Sequence, residues 1–271
     1  MTNSTAVTTG TVDRALRILE TLAAQPEGLP LVAVADELAL PRSAAHRLLN
    51  ELVRCGYVRQ LRAQGDYALT TKLPAIGLAF LGSAGIVDIA QPIIDRLAET
   101  SGELVRLAIV DGDRLTFVAK AQGARYGLRY DPDMGIDVRL SCSAGGHAWL
   151  MTLSEERATE LVALQGFGAP REFGPQAPTT FKALTKLLEE DRRRGFSMIA
   201  EQYSPGMTAM AAPVLRRGQE AIGVITIAGP LQRLTVQRMQ DLGPALLSAA
   251  SELAMASSTS PLFTQRARMA R

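Results

Sequence analysis

The chain has 271 residues, 47% of them hydrophobic, and a formal net charge of only +2, which favours two folded domains over one and supplies ample apolar side chain for buried cores. So small a charge excludes a surface that binds polyanions everywhere, and leaves nucleic-acid contact to a local cluster. Two cysteines without paired spacing, Cys55 and Cys142, and two histidines, His46 and His147, argue for a reducing compartment and against a disulfide framework, a metal site, a cofactor and most triad chemistry.

Residues 1–10, MTNSTAVTTG, lack the basic start and apolar run of a signal peptide, and their Ser/Thr content predicts disorder. No apolar stretch reaches the roughly 20 residues of a membrane helix, so a cytoplasmic protein without membrane contact is expected. Thr11 opens a helix to about Gln25 with Ala15, Ile18, Leu19 and Leu22 at helical spacing, ended by Pro26 and Gly28. A second helix, about Leu31 to Ala39, follows Pro30, and Leu40-Pro41-Arg42 breaks the chain sharply because proline disfavours helical geometry in the residue before it. Ser43 is placed to cap the third helix, whose buried stripe is Ala45, Leu48, Leu49 and Leu52 and whose other side carries Arg42, Ser43, His46, Arg47, Asn50 and Arg54. Gly56 stops it. Tyr57-Val58-Arg59 and Tyr67-Ala68-Leu69 then read as two short strands of a hairpin around Gly65-Asp66. Two helices, a tight turn and a following hairpin form a winged helix-turn-helix over residues 11–71, with the third helix in the DNA major groove. Five arginines and one acid, Glu51, between Arg42 and Arg62 form the electrostatic footprint that the net charge conceals.

Lys72 to Leu81 is a further helical stretch, and Gly82-Ser83-Ala84-Gly85 reads as a hinge. We therefore expect a linker over residues 72–85, a second domain over 86–256 and a disordered tail over 257–271. In the second domain, Asp88 to Thr100 is an amphipathic helix. Leu104 to Val110 and Leu115 to Ala121 are strands joined by Asp111-Gly112-Asp113. Ser143 to Leu153, a segment starting at Ser154, and one running from Thr179-Thr180 to Gly195 are helical. Two strands, about Thr208 to Leu215 and Ala221 to Ile227, precede a closing helix from about Thr235 to Met255. Hairpins flanked by helices, without strand–helix–strand alternation throughout, predict an α+β fold with an antiparallel sheet. Trp149 and Phe181 read as core.

The segments VDRALRILETLA, LALPRSAAHRLLNELVRCGYV, YALTTKLPAIG, PIIDRLAETSGELVRLAIV, MGIDVRLSCSAGGHAWL, RRRGFSMIAEQYSPGMTAMAAPV and GVITIAGPLQRLT together resemble, in order and spacing, the IclR family of bacterial transcriptional regulators. The resemblance covers nearly all of residues 11–256. It implies a winged helix-turn-helix, a linker helix and a larger GAF-like α/β effector-binding domain, in dimers or dimers of dimers that bind operator DNA and answer to small metabolites, often carboxylic acids. Carried over by position, the effector pocket takes in Gly135, Leu140, Ser141 and Ser143 from the glycine loop, Ala209 and Met210 from the strand before AAPV, and Thr226 and Ala228 from the last strand. Four positions depart from the common pattern. Ser141 stands for a frequent histidine, Arg139 for a proline, Ala209 for a cysteine and Ala228 for a serine. Fewer polar groups on the late strands imply an effector larger or more apolar than a two-carbon acid, such as an aromatic or branched one.

Candidate DNA contacts are Arg42, Ser43, Ala44, His46, Arg47, Asn50, Arg59 and Arg62. Arginine reads guanine and asparagine reads adenine with paired hydrogen bonds, but the spacing leaves open which residue meets a base and which a phosphate. Leu128, Met134, Arg139 and Glu201 are added to the pocket set. Arg139 is either a rim cation or half of a surface ion pair, Glu201 faces either the pocket or solvent, and Met134 and Met210 line a pocket or fill the core. An alternative function is an enzyme using Cys142 and His147, which requires an activated thiolate in a cleft; the N-terminal module would then only make protein contacts.

Overall fold

The computed structural model describes residues 10–62, 65–83, 86–132, 137–169, 171–216 and 218–256. The chain divides into two compact units, residues 1–83 and 84–271. In unit 1, α1 (Thr11–Ala23), α2 (Leu31–Glu37) and α3 (Arg42–Arg54) enclose a core of Ile18, Leu22, Val34, Leu38, Leu48, Leu49 and Leu52. These positions recur every three to four residues, the period that lays them along one helix face. The strands β1 (Val58–Gln60) and β2 (Tyr67–Leu69) pair antiparallel, Arg59 opposite Ala68. The hairpin is fixed to the helices by Leu29, which exchanges backbone hydrogen bonds with Tyr67. Gly28 has to be glycine there: its φ is +91° and a Cβ would lie 2.9 Å from the Tyr67 carbonyl oxygen.

Two details of unit 1 differ from expectation. Helix α3 starts at Arg42, its N-cap is Pro41, and no side chain caps it. Ser43 thus lies inside the first turn, where the Pro41 carbonyl already accepts from the amides of Ala44 and Ala45. The expected hinge is helical as far as it is described, because α4 runs Lys72–Ser83 straight through Gly82; residues 84 and 85, like the termini expected to be disordered, lie outside the described residues.

Unit 2 is a five-stranded sheet in the order β4-β3-β7-β6-β5, every pairing antiparallel. Its strands are β3 (Leu104–Asp111), β4 (Arg114–Gln122), β5 (Ser197–Ala200), β6 (Met207–Val214) and β7 (Gly223–Pro230). Helices α5 (Ile86–Ser101) and α9 (Val236–Ala256) pack on one face around Ile94, Leu97, Val105, Ile225, Ile227, Met239 and Leu246. On the other face α6 (Ala144–Leu150), α7 (Glu155–Gln165) and α8 (Phe181–Arg194) enclose Val110, Leu115, Leu140, Trp149, Leu161, Leu188 and Val224. A sheet covered on both faces needs apolar residues at every position of its inner strands, which is why all eight residues of β7 are buried. Edge strand β5 was not expected from the sequence, since SMIA between two charged or glycine-bearing segments is too short to show a period. Phe181 is a surface residue at 38% exposure rather than core; as the first residue of α8 it meets Phe167 edge-on, ring centroids 5.0 Å apart.

Candidate functional site

Unit 1 carries a basic face on α3. Ala45, Leu48, Leu49 and Leu52 turn inward, leaving Arg42, Ser43, His46, Arg47 and Asn50 exposed and Ala44 half-buried. Asn50 Nδ2 and His46 Nε2 are 3.4 Å apart along that face. Glu51, the acid of this stretch, is held by Arg54, whose Nε and Nη2 donate to Glu51 Oε2 at 3.0 and 2.8 Å. Arg54 is thereby neutralised, whereas Arg42, Arg47, Arg59 and Arg62 are exposed and make no ion pair among the described residues. The end of α3 is fixed from behind: Lys72 Nζ donates to the Cys55 carbonyl at 2.7 Å and Thr70 Oγ1 to that of Gly56 at 2.6 Å. The helix therefore carries no acidic charge free to repel a phosphate, and Arg42 and Arg47 stand open on it.

Unit 2 contains a cavity of about 610 Å³, counting its open mouth, between the sheet and the segments before α6. Strands β3 and β7 supply its floor. Arg106 pairs with Thr226 across them, and Thr226 Oγ1 donates to the Arg106 carbonyl at 3.4 Å. Arg106 is only 8% exposed, its guanidinium carbon sits 3.6 Å from the centre of the Phe117 ring, and its Nε has no hydrogen-bond partner. Burial pushes its pKa below the ordinary arginine value, an effect partly offset by nearby Tyr130, Tyr203 and Asp131. The carboxylate among these, Asp131, is already bound by Lys120 Nζ at 2.6 Å. A buried cation facing a cavity without an anion of its own is costly, and a bound anion would relieve that cost. Burial likewise raises the Tyr130 phenol, an effect that the charge of Arg106 partly reverses.

Of the residues expected at a pocket, Arg139, Ser143, Ala209, Thr226 and Ala228 line this cavity. Arg139 forms no surface ion pair among the described residues; its Nη1 donates to the carbonyls of Gln165 at 3.1 Å and Gly166 at 3.5 Å, and its guanidinium lies 5.1 Å from the Phe173 ring centre. Ser143 caps α6, its Oγ accepting from the Gly146 amide at 3.0 Å. The others lie elsewhere. Met210 is fully buried against the α5/α9 core; it follows Ala209 on a strand, where successive side chains take opposite faces. Leu140 and Ser141 are buried behind the wall, Leu128 is 67% exposed, and Glu201 occupies a turn at φ 51°, its Oε1 accepting from the Gly206 amide. Met134 and Gly135 fall outside the described residues.

Sequence reasoning missed Arg106, Phe117, Tyr130, Val138, Ile199 and Tyr203, all of which line the cavity. Arg106 had a signal: a lone charge within LVRLAIV, in a strand otherwise fit for burial. Cys142 is fully buried and its thiol is pushed up to about 11 by burial, the reverse of what a nucleophile requires. His147 is equally buried, its Nε2 2.9 Å from the Ser141 carbonyl and its Nδ1 3.4 Å from Asp191. Asp191 Oδ1 in turn accepts from Arg194 and from the Met198 amide, so this cluster ties α6, α8 and β5 together.

Two family models match the chain: the IclR helix-turn-helix domain over residues 11–62 and the bacterial transcriptional regulator IclR C-terminal domain over residues 78–255. The transcriptional repressor IclR of Escherichia coli is 31% identical over 257 residues, 93% of each chain. The HTH-type transcriptional regulator BhcR of Paracoccus denitrificans is 30% identical over 89% of this chain and 85% of its own. Among solved structures, an IclR regulator from Alicyclobacillus acidocaldarius superposes with a TM-score of 0.78 at 20% identity, covering 91% of this chain and 98% of the other. An IclR homologue from Microbacterium hydrocarbonoxydans, crystallised with 4-hydroxybenzoate, gives 0.77 at 21% identity, covering 93% of this chain and all of the other. With both domains matched in order, with relatives aligned along nearly the whole chain, and with an arginine face on a helix-turn-helix, the chain belongs to the IclR family of DNA-binding transcriptional regulators.

Proposed function

We propose that unit 2 admits a small organic acid and that its occupancy controls operator binding by unit 1. The observation that carries this reading is Arg106: a buried guanidinium, open to a cavity, with no carboxylate bound to it among the described residues. The 4-hydroxybenzoate complex of the Microbacterium hydrocarbonoxydans homologue supports an acid as the ligand. Arg42, Arg47, Asn50 and His46 supply base and phosphate contacts from α3, with Ser43 and Ala44 at its entry and Arg59 and Arg62 on the wing. The working unit is a dimer or a dimer of dimers. Helix α4 supports this, since it exposes Leu73, Ile76 and Leu78 and carries no charge after Lys72. A two-fold dimer spaces its recognition helices about 34 Å apart, or a multiple of that, and so selects a near-palindromic operator. The protein is not an enzyme and works in the cytoplasm, where its operator is; Cys142 and His147 serve the core.

Selection of genomic fragments by the purified protein, with and without a panel of carboxylic acids, tests the reading. Enrichment of near-palindromic fragments, altered by one acid class, is the expected result. Because coupling between two sites is reciprocal, the same acid must bind with changed affinity when operator is present. Fragments that no acid affects would overturn the effector role, and absence of enrichment would overturn the operator.

A further inference from the structure

Resting on that reading, the lining of the cavity narrows the acid. Val138, Ile199, Ala209 and Ala228 present hydrocarbon, and the rings of Tyr130 and Tyr203 stand in the same wall. Both tyrosines line the same cavity as Arg106. Charge is limited in number as well as in place. Arg139 is half-exposed, with Nη1 committed to backbone carbonyls, and the Asp137 carboxylate on the rim lies 3.5 Å from Arg114. Among the described lining residues, Arg106 is the deeply buried charge, and it has no counter-ion. Its guanidinium carbon lies 3.6 Å from the centre of the Phe117 ring, and a guanidinium presents a planar fork that matches a carboxylate with two parallel hydrogen bonds.

We propose that the cavity takes a planar aromatic monocarboxylate, with its acid group on Arg106 and its ring between Tyr130, Tyr203 and the apolar wall, and that Arg106 determines this specificity. A rigid ring loses little conformational freedom on binding and gains ring–ring contacts that an alkyl acid of equal size lacks.

Calorimetry on the full chain with benzoate, benzamide, cyclohexanecarboxylate, pyruvate and terephthalate tests the proposal. Benzoate is expected to bind tightest. Benzamide, isosteric but neutral, should bind on the order of 30-fold more weakly or worse, as removal of one partner from a buried charge pair does. Arg106→Met should lose the preference for benzoate over benzamide while melting no lower than the wild type, because it removes a buried charge that lacks a partner. Ala228→Leu, which keeps the charge and fills the wall, should exclude benzoate. Benzamide binding as tightly as benzoate, or an unaltered preference in Arg106→Met, would overturn the role of Arg106. Pyruvate or terephthalate binding tighter than benzoate would overturn the aromatic monocarboxylate and leave the effector reading intact. Failure of every acid to bind, with operator binding retained, would overturn the effector reading itself.

Discussion

Replacing Arg47 with alanine should weaken operator binding and leave the fold unchanged. The side chain is exposed on α3 and makes no ion pair among the described residues. Surface changes of this kind alter stability by no more than about 0.5 kcal/mol, and alanine is at least as good a helix former as arginine. From Arg42 to Asn50 the helix advances about 12 Å at roughly 1.5 Å per residue, which spans three to four base-pair steps of about 3.4 Å. Arg47 lies near the middle of that span, so it meets the duplex in any orientation that uses this face. If it contacts a phosphate, a dimer loses two such contacts, and the log–log salt slope should fall by about 1.8 in magnitude at all sequences alike. If it contacts a base, the salt slope should stay nearly constant and discrimination at one position per half-site should fall by about 1–3 kcal/mol. Fluorescence anisotropy against the operator and single-substitution variants, over a salt series, separates the two. Full affinity with an unchanged slope and unchanged discrimination would show that this face does not read DNA, and the geometry of α3 would have to be assigned to another role.

Other expectations follow from single contacts. Ala39 holds φ +52° in the turn between α2 and α3, where a Cβ is strained; Ala39→Gly should stabilise unit 1 by about 1 kcal/mol, read from its urea midpoint. Gly146→Ala would place a Cβ 2.4 Å from the Leu140 carbonyl oxygen, so it should destabilise unit 2 by about 1–3 kcal/mol or more and loosen the cavity wall with it. Cys142, fully buried with its thiol raised from about 9 to about 11, should resist a thiol reagent in the native protein while exposed Cys55 reacts, and both should react after denaturation. The same thiol sets a pH dependence. It ionises more readily unfolded than folded, so its contribution is intact below about pH 9 and lost from there to about pH 11, at up to about 1.4 kcal/mol per pH unit; Cys142→Ala should flatten that part of the stability curve.

How much of this was legible before the structure depends on whether a feature is local. The helices of unit 1 announce themselves through Ile18, Leu19 and Leu22, and through Ala45, Leu48, Leu49 and Leu52, because a helix face is a property of neighbouring residues. The exposed basic face of α3 follows from the same pattern by subtraction. The cavity does not, because its floor is made by strands β3 and β7, whose mutual register no local pattern encodes. Position-by-position transfer from the family located Ser143, Ala209, Thr226 and Ala228 on the wall. Met210, which the sequence leaves open between pocket and core, packs in the core because strand alternation turns it to the face opposite Ala209, and Arg106 escapes notice because a single charge does not interrupt an apolar strand. Ser43 is displaced from the cap for a different reason: proline satisfies the N-cap geometry as well as it breaks the preceding helix, and the helix begins two residues earlier.

The pairing of β3 with β7 also fixes when the cavity can come into being. Arg106 and Thr226 are adjacent in space and 120 residues apart in sequence. During synthesis the β3–β4 hairpin can close as soon as Gln122 has emerged, exposing Arg106 and the apolar edge of β3 with nothing beside them. At roughly 5–20 residues per second, the partner strand arrives about 5–20 s later. Until then the nascent chain carries an open, apolar sheet edge, the kind of surface that pairs with other chains. A mature cavity is thus a late product of folding, and substitutions on its floor should show their effects first in the yield of soluble protein and only afterwards in ligand affinity.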